Sequence, residues 1–427
     1  MAKQLMMIVM IVALMAGTAS AGVFSSNLSG HWSTNNHGTP QNTWGVGTGA
    51  VPGVDYPWAT DDAVANDDTA TILTGHTVTI NAYTGWGGVG SPLPAELTIV
   101  MDGGELRWFH IGGVNANPAV RSTIIVDQNS ALSNASTAAW TSPNRGNPAI
   151  INGTVSDGAA GTGNLILAAG TVLEVGEFGQ PSHGNRSGFS GNWVIGASTV
   201  VSGWNSNPGT GAQIFGTGDL DIDGGLVQFS SNAGNLPNDV TVGASGATIK
   251  AYGTYGGISA TLDGLISGAG ELVLHTPNGN ITVTNASNSY GDLRKTGAGT
   301  AYIMDPGAFG NSTITVEAGK LFLDADGGAD WDLLGDALVI SAGVVEYEAG
   351  LLNVTVGSLN LSGTDIPPRP LPYDIATESH GGKNFSDYFD GQGTITVAAP
   401  GGAIPEPGSA ALALLGLAGL ARRRRRG

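Results

Sequence analysis

Lys295-Thr296-Gly297-Ala298-Gly299-Thr300, followed by Thr313-Ile314-Thr315-Val316-Glu317-Ala318-Gly319-Lys320-Leu321-Phe322-Leu323, is the most legible part of this chain. Its short runs alternate apolar with polar residues. A period of two sends Ile314 and Val316 to one face of a strand and Thr313 and Thr315 to the other, and the glycines turn the backbone between runs. The same device recurs upstream as Gly161-Thr162-Gly163-Asn164-Leu165-Ile166-Leu167, Gly216-Thr217-Gly218-Asp219-Leu220-Asp221-Ile222 and Gly268-Ala269-Gly270-Glu271-Leu272-Val273-Leu274. The four start positions differ by 55, 52 and 29 residues. Spacings of roughly 27, or twice that, suit one or two coils of a β-solenoid whose coils stack at about 4.8 Å. Some ten such coils would make a rod of roughly 50 Å. A propeller would need longer, more regular blades, and no helical periodicity interrupts the pattern from Glu96 onward.

The segment Tyr290 to Leu323 resembles the autotransporter-associated β-strand repeat, although Ala301 stands where that repeat usually has Leu and the earlier units match only its glycine-containing half. The resemblance implies a right-handed β-helix exposed at a cell surface. The expected fold is therefore all-β, a right-handed parallel β-helix with N- and C-terminal caps. Residues 96–363 form the solenoid body. Residues 22–95 form an N-terminal cap, because Trp32, Trp44, Trp58 and Trp86 place four of the nine Trp there and a solenoid end must cover its unpaired backbone and apolar surface. Exposed Trp rings could instead stack on glycans. Residues 364–398 form a C-terminal cap, where Pro367, Pro368, Pro370 and Pro372 break the strand pattern before Gly393-Thr394-Ile395-Thr396-Val397 resumes it.

Composition agrees with a packed, turn-dense body. Gly supplies 69 of 427 residues, charged residues only 12%, and hydrophobic residues 41%, which is too many for general disorder. Absence of Cys removes disulfides, thiolate nucleophiles and Cys-type metal sites, so rigidity must come from hydrogen bonding and stacked apolar faces. The formal net charge is -18, and residues 22–404 hold 10 basic against 33 acidic side chains. Such a body repels phosphate backbones and excludes nucleic acid as a partner.

Both ends read as targeting segments. Lys3 precedes the apolar run Leu5 to Ala16, and Ala19-Ser20-Ala21 offers small residues to a signal peptidase, so residues 1–21 read as a secretory signal with Ala19 and Ala21 at the cleavage site. Residues 399–427 form a sorting tail. Pro405-Glu406-Pro407 precedes Ala410 to Ala421, all Ala, Leu or Gly, and then Arg422 to Arg426. The prolines stop helix continuation, the apolar run enters the bilayer, and the Arg cluster stays on the cytoplasmic side. This tail resembles the PEP-CTERM sorting signal of Gram-negative bacteria. The resemblance implies export to the cell surface or extracellular matrix, recognition of Pro405, Glu406 and Pro407 by an exosortase-type membrane transpeptidase, transient membrane contact, and a setting rich in extracellular polysaccharide.

Candidate chemistry is sparse. Asp219, Asp221, Asp223 and Gly224 open like a calcium loop, but Ser230 occupies the twelfth position where a bidentate Glu is needed, so they read as the solvated face of a strand. Asp324, Asp326, Asp330, Asp332 and Asp336 form a turn-rich acidic cluster able to chelate calcium, with the first four as the candidate ligands. His31 and His37 read as structural hydrogen-bonding groups. No His-Glu-x-x-His and no Gly-x-Ser-x-Gly with downstream partners occurs. The expected function is a noncatalytic surface or matrix protein. A glycan-binding module and a β-helical polysaccharide lyase or hydrolase are the alternatives, the latter marked by a groove lined with carboxylates and Arg or Lys.

Overall fold

The computed structural model describes residues 23–26, 30–31, 44–46, 69–81, 98–109, 119–120, 122–134, 149–151, 153–159, 161–175, 188–202, 214–229, 235–252, 258–305, 313–324, 331–347, 352–390 and 393–398. The signal segment, the sorting motif and most of the Trp-rich stretch lie outside them. The described residues form a mostly parallel all-β solenoid, as the alternating runs predict. Its principal sheets have six, nine, fourteen and seven strands.

One coil shows how sequence becomes architecture. Leu165–Leu167 lies in the nine-stranded sheet, between Ser130–Asn134 of the preceding coil and Trp193–Ile195 of the next. The chain turns and lays Val172–Val175 into the fourteen-stranded sheet, between Ala149–Ile151 and Thr199–Ser202. Leu165 and Leu167 are buried while Ile166 is exposed, so the period of two is used as read. Antiparallel pairing of described strands is confined to Val23–Ser26 with Trp44–Val46 and to pairs within residues 352–397.

The spacing of 55 is two coils. Leu165 pairs with Trp193, which pairs with Leu220. The intermediate coil, Gly191-Asn192-Trp193, lacks the doubled glycine and so escapes a search for it. The other two units are not at this corner. Gly268–Gly270 leads into Leu272–His275 of the fourteen-stranded sheet, and Gly297–Gly299 leads into Thr300–Ile303 of the seven-stranded sheet. Glycine-marked turns thus occur at different corners of a polygonal coil, so their spacing is not the coil length.

Coil length also changes. Leu272 pairs with Leu293, twenty-one residues on, whereas Trp193 pairs with Leu220, twenty-seven on. The nine-stranded sheet ends at Ile266–Gly268, after which successive strands alternate between the seven- and fourteen-stranded sheets. Among the described residues each later coil thus uses two strands, where earlier coils such as those beginning at Leu220 and Val240 use three. Thirteen strands of the fourteen-stranded sheet follow one another across it and at about 4.8 Å span roughly 60 Å, somewhat more than a uniform 27-residue coil allows.

The core is a set of inward rows running along the axis. On the fourteen-stranded sheet, Val227, Ile249, Leu274, Lys295, Val316, Ile340 and Leu361 stand in register. Lys295 occupies a Leu-type position and is 0% exposed. Its Nζ donates to the carbonyl oxygens of Thr296 (3.0 Å), Gly297 (2.8 Å) and Ala318 (3.0 Å). At the far end, Leu352–Leu361 carries two partners beyond the coil stack. Thr364–Ile366 folds back on it, and Gly393–Val397 lies parallel to its first half, with Leu352 paired to Gly393 and Val356 to Val397. The resumption of strand after the proline segment is therefore observed. Between these, Phe385 stacks on Tyr373 and Phe389, and Arg369 lies 3.7 Å over the Tyr373 ring while pairing with Glu378.

Candidate functional site

The corner before the nine-stranded sheet explains the Gly-x-Gly-Asn signature. Asn129 Oδ1 accepts from Asn164 N (2.8 Å), Asn164 Oδ1 from Asn192 N (2.9 Å), and Asn192 Oδ1 from Asp219 N (3.1 Å). One coil further on, Asp239 Oδ1 makes the equivalent bond, accepting from Leu265 N at 2.7 Å. One residue earlier, glycines are required by close approach. A Cβ on Gly191 would meet the Gly163 carbonyl oxygen at 2.0 Å, and one on Gly218 the Gly191 carbonyl oxygen at 2.1 Å. Each side-chain carbonyl satisfies a backbone donor that a sharp corner would otherwise orphan.

This places the acidic triplet. Asp221 faces outward between buried Leu220 and Ile222, as expected, and accepts from Asn192 Nδ2. Asp219 instead belongs to the corner. Burial, with repulsion from the Asp239 and Asp221 carboxylates of the same stack, pushes its carboxyl above the usual range. Of the calcium cluster, Asp324 lies at the end of a strand and its Oδ1 makes no hydrogen bond. Asp332 lies in a strand, its backbone register set against Thr355, while Asp326 and Asp330 are outside the described residues. Among the described residues, no group of three or more His, Asp or Glu is placed to hold a metal. Ala19, Ala21, Pro405, Glu406 and Pro407 are outside the described residues, as is His37, while His31 pairs through its backbone with Thr79. Trp108 and Trp193 are core residues, so neither forms a stacking surface.

Several outward carboxylates are engaged by donors. Glu105 accepts from Thr77 Oγ1 (2.7 Å), Arg107 Nη2 (2.9 Å) and Ser133 Oγ. Burial raises the Glu105 carboxyl, but these hydrogen bonds outweigh it and hold the group below the ordinary value. Arg294 lies between Glu271 (2.8 Å) and Glu317 (3.7 Å), and Lys320 between Glu346 (2.7 Å) and Asp390 (3.7 Å).

One outward row differs. Gln228, Lys250, His275 and Thr296 stand in register on four adjacent strands of the fourteen-stranded sheet. Gln228 is buried and the other three are half-buried. His275 Nδ1 lies 2.8 Å from Thr296 Oγ1, and Lys250 Nζ lies 4.9 Å from the centre of the Tyr252 ring, on the same face two residues on. Burial lowers the Lys250 ammonium. Burial, helped by the positive charges of Lys250 and Lys295, also lowers the His275 imidazole, which is therefore neutral at pH 7. Sequence reasoning missed this row. Its only signal is positional: Lys250 and His275 each follow an apolar residue at the close of a strand opened by a glycine turn.

The described geometry defines a mostly parallel all-β solenoid. Residues 403–426 match the PEP-CTERM protein-sorting motif. No curated protein and no solved structure matches the chain. The chain is thus a solenoid-shaped surface protein carrying a PEP-CTERM sorting signal, exported in the manner typical of Gram-negative systems, and the motif implies an exosortase-type partner.

Proposed function

We propose that this protein is a noncatalytic scaffold of the cell surface or extracellular matrix, associated with exopolysaccharide, with a right-handed β-helical body at 96–363 closed by caps at 22–95 and 364–398. The observation that carries this reading is the fourteen-stranded ladder. Each coil hydrogen-bonds to the next through backbone and corner side chains, giving a stiff rod without disulfides. Saturated outward carboxylates such as Glu105 support a structural role over acid-base chemistry.

Sorting is tested in the native host by mass spectrometry of the exported protein. The apolar run Ala410 to Ala421 has twelve residues, about 18 Å as helix, against a hydrocarbon core of about 30 Å. It suits a transient anchor. The mature protein is expected to lack Arg422 to Arg426 and to fractionate with the matrix, and Glu406→Ala is expected to keep them. Arg422 to Arg426 on the mature wild type would refute processing; a processed Glu406→Ala variant would refute only the role of Glu406.

Calcium on Asp324, Asp326, Asp330 and Asp332 belongs to the same proposal, supported by the acidic density and by Asp324 Oδ1 lacking a hydrogen bond. Binding to the folded state alone raises the melting temperature. Millimolar calcium is expected to raise it, a chelator to reverse it, and Asp324→Asn to weaken the response. A melting temperature indifferent to both calcium and chelator removes the idea.

A further inference from the structure

The body has few cations, and they are not distributed at random. Arg107, Arg294, Lys320 and Arg369 each have a carboxylate within 4 Å. Lys250, Lys295 and Lys383 have none among the described residues, and the strands of the first two are separated by only one, which carries His275 between them. In a body with 33 acidic side chains, a cation is expected to find a carboxylate unless the fold keeps one away. Here Lys295 contributes positive potential from inside the wall, its Nζ committed to three carbonyl oxygens. Lys250 presents its ammonium outside, with the Tyr252 ring beside it. Gln228 on one side and the His275–Thr296 pair on the other extend the row along the axis.

We propose that the row Gln228, Lys250, His275 and Thr296, with Tyr252, is a binding strip for an acidic sugar, in which Lys250 meets a carboxylate and Tyr252 meets an adjacent sugar ring. The inference rests on the scaffold reading and names the chemistry of the polysaccharide it associates with. Charge complementarity selects the occupant: two neighbouring cations call for one anionic group, and the neutral imidazole, amide, hydroxyl and aromatic ring beside them suit a polyhydroxylated chain. The surrounding acidic body repels long polyanions at range, but at physiological salt that repulsion is screened beyond about 8 Å, so a carboxylate in contact with Lys250 is governed by the local cations. Burial already depresses the basicity of Lys250 and, together with neighbouring positive charge, that of His275, a cost that an arriving carboxylate relieves.

The test is titration of the exported protein with a galacturonate trisaccharide, with maltotriose as uncharged control and inorganic sulfate as bare anion, read by calorimetry and by the imidazole resonances of His275. The trisaccharide is expected to bind and move those resonances, with maltotriose and sulfate each at least about tenfold weaker. Lys250→Gln is expected to weaken the trisaccharide about tenfold, while Lys250→Arg keeps it, each variant being checked for an unchanged melting temperature. Equal binding of maltotriose, or an unchanged affinity in Lys250→Gln, overturns the proposal. Sulfate binding as tightly as the trisaccharide overturns the sugar and leaves a bare-anion site. Matrix association is scored separately in the host. A matrix-bound protein that ignores the trisaccharide overturns this inference alone, and one that binds it but never reaches the matrix overturns the scaffold reading alone.

Discussion

Trp193→Ala is expected to lower the stability of the solenoid by about 3–5 kcal/mol, the range for truncating a large buried aromatic. Trp193 is 0% exposed and sits between Leu165 and Leu220 of the flanking coils. Its ring meets Phe189 edge-on at 6.1 Å and Phe215 at 5.6 Å, and its Nε1 donates to the Phe215 carbonyl oxygen at 2.8 Å. Truncation therefore leaves a cavity, removes two aromatic contacts and orphans a buried carbonyl. Because each coil rests only on its neighbours, a defect in the middle of the stack weakens both interfaces of that coil. Denaturant unfolding followed by circular dichroism measures the effect, and Trp193→Phe should recover most of it. A loss below about 1 kcal/mol for the Ala variant would show that the coil collapses around the gap and that the ring is not a keystone.

The second large effect is a rise in stability with alkaline pH, traced to Lys295. Burial lowers this ammonium from 10.5 to about 8. Between those values the unfolded chain binds a proton that the folded chain does not, so folding gains as pH rises through the window. Below the folded value both states are protonated, and the buried charge is carried at full cost. The gain from pH 7 to pH 11 amounts to about 3 kcal/mol at roughly 1.4 kcal/mol per pH unit. Lys295→Met removes the group, so the difference between wild type and variant isolates it from other titrations in this range. Parallel pH profiles for the two proteins would show that Lys295 is hydrated or finds a counter-ion in solution.

These residues mark where sequence reading succeeds and where it stops. Alternation reported the inward and outward faces of Leu165–Leu167 and Leu220–Ile222 because a period of two is a local property. Coil length is not local. It depends on how many corners the chain makes before it returns, and Gly161, Gly268 and Gly297 carry similar turns at different corners. The disappearance of one strand per coil after Ile266–Gly268 has no compositional marker either. Lys295 is inward only by counting two from Leu293, against everything its charge suggests. The polar row is likewise a product of register: Gln228, Lys250 and His275 are more than twenty residues apart in sequence and become neighbours only when the strands are laid side by side.

The strand Gly393–Val397 has a mechanical meaning. It immediately precedes the sorting tail, so whatever fastens the protein at that end draws on this strand first. It is laid parallel to Leu352–Leu361 over five paired positions, from Leu352 with Gly393 to Val356 with Val397. A pull along the strand loads those rungs together instead of breaking them one after another, since sliding in register requires every hydrogen bond to fail at once. Tension from an attachment site thus enters the rod through a sheared joint, and is passed to the fourteen-stranded sheet as a whole.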